Sequence, residues 1–307
     1  MRRAQTIDVL LVSLGSTEGL RRADDELHDA LNRAGARVAV VRAHPVEPVP
    51  TMMLTDLRWA RAARDVLNGL IEQQREMPPR SILYSTTTAA LLCKRPGAIR
   101  FDATAAGNRP GRHGLWQRPL ERRRLRQAPL LLPWSEGALA EAPGIVARED
   151  RTLVLPVPVE PSGPIAAERD VAAVAYTANP AKKGLDRVLA AWRQVREQDG
   201  GDGELLLAGA SAEQLRHAGL AIEQEGVRVL GSLPAAEFRG LLRRARTFVC
   251  APRREDYGIV QLEALADGCL LVTTPSPGPY VALPVARELD ARFVGEDLVA
   301  GLRAALS

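Results

Sequence analysis

The chain has 307 residues, a length that accommodates about two domains, each able to bury its own core. Hydrophobic residues make up 46% and charged residues 25%, as in ordinary soluble globular proteins, and no apolar run reaches the roughly 18 residues of a membrane span. The net charge of +4 is too small, and aromatic residues at 4% are too scarce, to favour a nucleic-acid-binding protein.

The first half of the chain alternates short apolar runs with helix-length patterns, which is typical of a parallel α/β sheet. Helices are predicted over Arg21–Ala34, which stops at Gly35, and over Thr55–Gln74, which is apolar at helical spacing. The predicted strands are Asp8–Leu14, Arg37–Ala43, Ser81–Ser85, Ala98–Asp102, Leu130–Pro133 and Thr152–Leu155.

Residues 155–164 contain four prolines, a composition that indicates a linker or hinge. We therefore predict a first domain over residues 1–156, a linker over 157–168 and a second domain over 169–307.

The alternation resumes after the linker. Strands are predicted at Val171–Thr177, Glu204–Ala208, Val227–Leu230, Thr247–Ala251 and Leu270–Thr274, and helices at Leu185–Glu197, Ala212–Gln224, Ala235–Ala245, Ile259–Ala266 and Asp297–Ala305. The predicted fold class is thus α/β, with two doubly wound Rossmann-like domains. We expect them to enclose a central cleft, since ligands of open α/β sheets bind at the carboxyl ends of the strands.

The segment from Glu255 to Glu263 is the most informative part of the sequence. Seven residues separate the two carboxylates, and Gly258 lies between them where a loop enters a helix. Backbone N–H groups at this helix start can receive an anion, while carboxylates accept hydrogen bonds from hydroxyls. The segment therefore suits an anionic ligand that also carries hydroxyls, such as a nucleotide sugar.

Lys183 and Gly184 follow the first predicted strand of the second domain. At the carboxyl end of a strand and close to a helix start, the lysine is well placed to neutralise a diphosphate. A solvated surface lysine is the alternative.

These motifs together resemble the retaining glycosyltransferases of the GT-B fold, most closely the family 4 enzymes. The resemblance covers roughly residues 171–275 and rests on Lys183-Gly184, on Ala208-Gly209, and on the run from Glu255 through Gly258 to Glu263-Ala264. It implies a sugar transfer from a nucleotide-diphosphate sugar to an acceptor hydroxyl with retention of the anomeric configuration.

The resemblance also implies roles for individual residues. Lys183 would bind the donor phosphate, Glu255 the hydroxyls of the transferred sugar and Glu263 the ribose hydroxyls. The amides of Gly258, Ile259 and Val260 would cradle the anion. Main chain from Val229 to Leu233 would border the base, and Gly209 would line the donor site.

Two positions depart from the family pattern. Ala178 stands where relatives usually carry an arginine that binds phosphate. Either Lys182 compensates for it or the site is weakened, and a plain loop lysine is the favoured interpretation of Lys182. Phe101 stands where relatives often carry a histidine that contacts the sugar. The sugar is therefore not predicted, and neither are the base, the acceptor or the oligomeric state.

The first domain has fewer signals. Gly15 follows the first strand, in a loop that fits either the family's glycine loop on the donor and acceptor side or a generic turn. Asp102 ends a strand and is expected to face the cleft. Lys183, Glu255 and Asp102 are the three predicted catalytic residues. Residues 109–126 hold seven arginines and one acid, so a weak peripheral contact with anionic lipid is one interpretation, and a solvated helix is the favoured one.

The sequence also predicts the compartment and the chemistry. Cys93, Cys250 and Cys269 are an odd number in apolar surroundings, which indicates buried thiols and a cytoplasmic protein. No Asp-x-Asp triplet or zinc spacing occurs, so no metal or other cofactor is expected. The acceptor would be a glycan, a lipid-linked molecule or a small molecule. A nucleotide-sugar epimerase of the same fold and a non-catalytic GT-B partner subunit remain alternatives.

Overall fold

A computed structural model of the chain describes residues 6–47, 49, 51–142, 144, 149–200 and 202–307. The chain divides into two compact units, Met1–Val157 and Pro158–Ser307. Each unit contains a five-stranded sheet in which every strand pair is parallel. The predicted α/β fold with two Rossmann-like domains is confirmed.

The strands of the first unit are β1 (Val9–Ser13), β2 (Val38–Arg42), β3 (Ser81–Tyr84), β4 (Ala98–Phe101) and β5 (Leu131–Pro133). Its helices are α1 (Glu18–Arg33), α2 (Met52–Gln73), α3 (Thr87–Ala90), α4 (Ala105–Asn108), α5 (Gln117–Gln127) and α6 (Glu136–Ala140), with short 3-10 turns at Gly111–Gly114 and Glu149–Arg151. The strands lie side by side in the order β2-β1-β3-β4-β5.

The interior position of β1 explains its composition. It pairs with β2 on one side and β3 on the other, and Leu10, Leu11 and Val12 are fully buried. A parallel strand covered on both faces is apolar throughout rather than alternating. Helix α1 starts after Thr17, whose hydroxyl accepts from the amide of Leu20 and so caps the helix.

The predicted strand Thr152–Leu155 is not a strand. Thr152 forms one isolated bridge with Leu131, and the amides of Leu153 and Leu155 donate to β5. The ladder stops there because the prolines that follow at 156 and 158 have no N–H to donate.

The strands of the second unit are β6 (Val171–Tyr176), β7 (Leu205–Ala208), β8 (Val227–Gly231), β9 (Ala245–Cys250) and β10 (Leu270–Thr273). Its helices are α7 (Pro180–Lys183), α8 (Leu185–Asp199), α9 (Ala212–His217), α10 (Ala235–Arg244), α11 (Ile259–Ala266), α12 (Ala282–Leu289) and α13 (Leu298–Leu306), with a 3-10 turn at Ala291–Phe293. The strand order is β10-β9-β6-β7-β8.

Helices cover both faces of this second sheet. One hydrophobic cluster joins it to α8 and α13 and includes Trp192 and Leu302, while another joins it to α10 and α11 and includes Phe238 and Ala264. This is the doubly wound arrangement, in which the carboxyl ends of the strands share one edge.

Helix α9 ends at His217, seven residues before its predicted end. The backbone of Gly219 has a φ of 74°, and the amide of Leu220 donates to the carbonyl of Leu215. A glycine in this left-handed conformation closes a helix, so Gly219 and not the apolar pattern sets the boundary.

Part of the predicted 157–168 linker is bound to the second unit. The residues 160–162, which we call the strap, contact α10 and the end of α11 through Glu160 and Ser162. Further along, the amide of Ala166 donates to the carbonyl of Arg243.

Candidate functional site

Glu255 lies in the loop between β9 and α11, at the carboxyl edge of the second sheet. Although it is charged, only 5% of the residue is exposed. Its amide donates to the carbonyl of Pro277 and its own carbonyl accepts from the amide of Tyr280, so two backbone hydrogen bonds fix the loop. Gly278 lets the chain come this close, because a Cβ there would overlap the Glu255 carbonyl.

Gly258 allows α11 to start beside this loop. Its φ is 88°, and an added Cβ would lie 3.1 Å from the Ala282 Cβ and 3.2 Å from the Tyr280 ring. The helix then runs over Ile259–Ala266, as predicted. As the first helical residues, Ile259 and Val260 point their amides away from any carbonyl of their own helix, which leaves an anion-receptive end at the sheet edge.

Lys183 reaches the same place from β6. It is the last residue of α7, and Gly184 follows it with a φ of 63°. A Cβ on Gly184 would overlap the carbonyl oxygen of Ala251, at the end of β9. The glycine therefore lets α7 lie directly against the β9 loop, and this contact explains why a lysine and a glutamate that are 72 residues apart meet.

Lys183 and Glu255 form an ion pair. The lysine Nζ lies 2.5 Å from the Glu255 Oε2, and the Gln261 Nε2 donates to the same oxygen at 2.8 Å. The side chains are 17% and 7% exposed. Burial of a carboxylate is costly unless it is paired and hydrogen-bonded, and here both conditions are met.

Glu263 is the fifth residue of α11, and 6% of it is exposed. It pairs with Arg239 of α10, whose Nη1 lies 3.5 Å from the Glu263 Oε1. Neither Arg239 nor its second partner, Asp267, was predicted from the sequence, because each reads as a surface charge on a helix or at its end.

A second cation next to Lys183 is also paired. Lys182 lies 2.8 Å from Asp256, which accepts from Arg254 at the same distance. Asp256 is buried, so the two cations neutralise it. Ala178 stands where the resemblance predicts an arginine, and its amide nitrogen would lie 2.9 Å from a Cβ on Gly209.

Gly209 and Leu233 follow the two neighbouring strands at the same edge of the sheet. Gly209 comes directly after β7, has a φ of 122° and donates its amide to the carbonyl of Gly231. Leu233 comes two residues after β8 and its side chain packs against the hydrophobic core. The structure thus brings the predicted donor residues of the second unit to the ends of four adjacent strands, β9, β6, β7 and β8.

A buried polar cluster lies next to the Glu255 loop. The Tyr280 hydroxyl lies 2.7 Å from the Thr273 hydroxyl, which lies 3.2 Å from the Cys250 thiol. Burial raises the pKa of Cys250 and of Tyr280, so both stay protonated. The cluster is joined to the loop through the Tyr280 amide, which donates to the Glu255 carbonyl. The predicted burial of Cys93, Cys250 and Cys269 is confirmed.

The first unit places Gly15 and Asp102 at the carboxyl edge of its own sheet, after β1 and β4. Gly15 has a φ of 60°, and its carbonyl accepts from the Arg21 guanidinium at 2.8 Å. Asp102 is half-buried.

A charged network that the sequence did not reveal lies beside the Gly15 loop. Ser13 donates to Asp24 at 2.6 Å, Asp24 lies 3.7 Å from Arg100, and the Arg100 guanidinium stacks 4.8 Å from the Trp134 ring centre. Burial raises the pKa of Asp24, although the Ser13 hydroxyl and the Arg100 charge oppose the shift.

The arginine-rich residues 109–126 do not form one helix. Arg109 pairs with Asp56 of α2 at 2.7 Å, and α5 buries Gln117, Glu121 and Leu125 against its own unit. The exposed arginines on this helix are Arg122, Arg123 and Arg126. Among the described residues, no helix combines the length and apolarity that crossing a bilayer requires.

Comparison with known proteins finds a family match for the second unit. Residues 168–301 match the model of the family described as Glycosyl transferases group 1. No curated protein matches the chain. The family resemblance predicted from the sequence is confirmed for the second unit.

Solved structures extend the likeness to the whole chain. WaaG, a glycosyltransferase involved in lipopolysaccharide biosynthesis, has a TM-score of 0.69 at 15% identity, over 97% of this chain and 90% of that one. Sucrose-phosphate synthase from Thermosynechococcus elongatus has a TM-score of 0.67 at 15% identity, over 98% and 94%. A structure described as trehalose-6-phosphate from E. coli bound with UDP-2-fluoro glucose has a TM-score of 0.63 at 12% identity, over 97% and 91%. The fold is GT-B, as predicted.

Proposed function

We propose that this chain, whose second unit matches the group 1 glycosyltransferases and whose fold is GT-B, transfers a sugar from a nucleotide-diphosphate sugar to an acceptor hydroxyl. The transfer would retain the anomeric configuration and need no metal. The observation that carries the proposal is the Lys183–Glu255 ion pair beside the start of α11, with Glu263 on the same helix.

The charges of this site suit a diphosphate that carries a sugar. A bound diphosphate would attract Lys183 and the amides of Ile259 and Val260, which lie at the positive end of α11. The sugar hydroxyls would then donate to Glu255, and the ribose hydroxyls to Glu263, because ionised carboxylates accept hydrogen bonds only. One of the similar structures was solved with a UDP sugar bound, which supports this donor class.

The same residues would assist the chemistry. As the bond between the anomeric carbon and the diphosphate breaks, negative charge grows on the leaving oxygen, and Lys183 with the α11 amides stabilises it. The acceptor oxygen bonds to the anomeric carbon from the same face. Its proton passes to the leaving phosphate oxygen, so no protein nucleophile is needed. The positive charge comes from Lys183 and the helix, and this is why no metal is invoked.

We assign the acceptor to the first unit, where Asp102 at the carboxyl sheet edge would be catalytic and Gly15 would line the donor diphosphate and the acceptor side. The acceptor is a glycan, a lipid-linked molecule or a small molecule. The protein would act in the cytoplasm, with a weak peripheral contact of residues 109–126 with anionic lipid.

The test is turnover of a panel of uridine, guanosine, adenosine and thymidine diphosphate sugars, with and without acceptors and with EDTA. Nuclear magnetic resonance of the product reads its anomeric configuration. We expect retention and no effect of EDTA. Lys183→Ala should lose turnover by about 100-fold or more, the scale of one lost charge-stabilising group. Lys94→Ala, an exposed lysine of the first unit, should keep it.

Other outcomes identify the alternatives. An inverted product would contradict the proposed mechanism. A changed sugar nucleotide in the absence of acceptor would indicate an epimerase. A non-catalytic partner subunit is favoured by one observation, Ala178 in place of the family arginine, and would be indicated if no nucleoside diphosphate bound at all.

A further inference from the structure

Arg239 connects three parts of the second unit. Its Nε and Nη2 donate to the two carboxylate oxygens of Asp267 at 2.5 and 3.0 Å. Nη2 also donates to the carbonyl of Glu160 in the strap at 2.7 Å, and Nη1 lies 3.5 Å from the Glu263 carboxylate. Only 4% of Arg239 is exposed.

Asp267 fixes the direction of this guanidinium. It is fully buried, immediately after the last residue of α11, and Ser162 of the strap donates to it through both its amide and its hydroxyl, at 2.8 and 3.0 Å. Burial opposes ionisation of Asp267. The bonds from Arg239 and Ser162 nevertheless outweigh burial and hold its pKa below the ordinary value.

The geometry leaves Arg239 little freedom. A guanidinium is a rigid planar fork that pairs with a carboxylate through two parallel bonds, so its contact with Asp267 sets the plane of the group. With Nε and Nη2 used by Asp267 and Glu160, Nη1 is the nitrogen that remains beside Glu263. The Glu263 carboxylate is therefore held from one side by a cation that cannot rotate.

We propose that Arg239 is a positioning residue: it orients Glu263 for recognition of the ribose hydroxyls and joins that carboxylate to the strap, residues 160–162. The inference rests on the proposed function, because it takes Glu263 to be the ribose ligand. It assigns to Arg239 no contact with the ligand itself. Affinity for the ribose hydroxyls then depends on a residue that acts only through Glu263.

The test compares two probes that differ only in those hydroxyls. Isothermal titration gives the Kd of a nucleoside diphosphate, chosen as the tightest of the uridine, guanosine and adenosine forms, and of its 2′,3′-dideoxy analogue. Hydrogen bonds to a charged group should make the natural form bind about 10- to 100-fold more tightly to the unaltered protein. We call the Kd of the dideoxy form divided by the Kd of the natural form the hydroxyl ratio.

Three variants separate the roles. Glu263→Ala should bring the hydroxyl ratio close to one. Arg239→Gln should lower the ratio at least about fivefold, because the Glu263 carboxylate loses the cation that orients it. The Kd of the dideoxy form should stay nearly unchanged. Arg243→Gln is the matched control. Arg243 lies one turn further along α10 and donates to the Ser162 hydroxyl at 2.5 Å, so its removal loosens the strap but leaves the bonds from Arg239 to Asp267 and Glu263 in place and should keep the ratio.

A merely structural role predicts a different result. General loosening of the unit by Arg239→Gln would weaken both probes equally and keep the ratio, which would overturn the inference. If Arg239→Gln does not fold, Asp267→Asn removes the partner that orients the guanidinium and should also lower the ratio. An unchanged ratio in that variant would likewise overturn it.

The outcomes also separate this inference from the proposed function. If no nucleoside diphosphate binds, or if Glu263→Ala keeps the hydroxyl ratio, Glu263 is not the ribose ligand and both proposals fail. If Glu263→Ala abolishes the ratio while Arg239→Gln keeps it, the positioning role alone fails.

Discussion

Removal of either partner of the Lys183–Glu255 pair should destabilise the second unit, and removal of both should destabilise it less. Breaking a buried pair typically costs about 3–5 kcal/mol, because one charge is left unpaired. Lys183 retains 17% exposure and Glu255 keeps its bond from Gln261, so we expect about 2–3 kcal/mol for Lys183→Met. The double variant, Lys183→Met with Glu255→Gln, should recover most of this loss.

Scanning calorimetry provides the measurement, because the two units need not unfold in one step. A loss of about 2–3 kcal/mol in a unit of this size lowers the Tm by roughly 5–10 °C. The transition of the other unit serves as the internal control. If the double variant melted as low as Lys183→Met alone, the cost would not come from an unpaired Glu255, and the electrostatic reasoning would be refuted.

Removal of the Glu255 charge should destabilise the second unit but strengthen its binding of a nucleoside diphosphate. A nucleoside diphosphate has no transferred sugar to offer to Glu255, so Glu255 only competes with it for Lys183. Glu255→Gln should therefore bind nucleoside diphosphate several-fold more tightly, on the order of 1 kcal/mol, while turnover of the nucleotide sugar falls. Titration calorimetry decides: weaker binding by Glu255→Gln would contradict this arrangement.

The remaining predictions concern the backbone, pH and a membrane surface. Gly184→Ala should destabilise the second unit by more than about 2 kcal/mol and abolish turnover, because its Cβ would overlap the Ala251 carbonyl. The control is Gly200→Ala, where φ is a similar 66° but an added Cβ would have no atom within 4 Å; it should cost about 1 kcal/mol and leave turnover intact. Denaturant melts measure both losses of stability. The pKa of Asp267 is lowered by folding, so its contribution to stability is present above its unfolded pKa and is lost as the pH falls through the lower folded pKa. Asp267→Asn should therefore be less stable at neutral pH, and its stability should fall less steeply as the pH is lowered. Equal slopes of the two stability curves in acid would contradict this. Sedimentation with anionic vesicles at low salt tests the proposed lipid contact of residues 109–126. Binding should be weak and should disappear when the exposed arginines of α5 are replaced by glutamine. It should persist in Arg109→Gln, because the Arg109 guanidinium is bound to Asp56. Equal binding by all forms would exclude this segment as the lipid contact. The replaced arginines are Arg122, Arg123 and Arg126.

The sequence was sufficient for features that depend on local composition. Apolar runs located the strands of both sheets, and the start of α11 at Ile259 followed from Gly258 and the helix-forming residues after it. Lys183-Gly184 was recognised by the family pattern, and the structure supplies its physical reason: only a glycine at 184 lets the lysine approach the β9 loop.

Features that depend on distant partners could not be predicted in this way. Arg239 lies on α10 and Asp267, 28 residues later, directly follows α11. The local pattern does not contain the relative placement of these helices, and each residue alone resembles a solvated charge. The early end of α9 shows a similar limit, because one glycine at 219 overrides an apolar pattern that continues beyond it.

The two carboxylates of the site differ in what holds them, and the difference suggests how an intact donor is told from its product. Lys183, which pairs with Glu255, ends a short helix and keeps some exposure, so a diphosphate can draw it away. Arg239, which pairs with Glu263, is fixed by Asp267 and the strap and should stay in place. Once Lys183 moves to the phosphate, Glu255 keeps its bond from Gln261 but loses its cation, and the hydroxyls of an attached sugar would supply further donors. Glu263 would thus recognise the nucleoside in donor and product alike, whereas Glu255 would gain hydrogen bonds to replace Lys183 when the sugar is present.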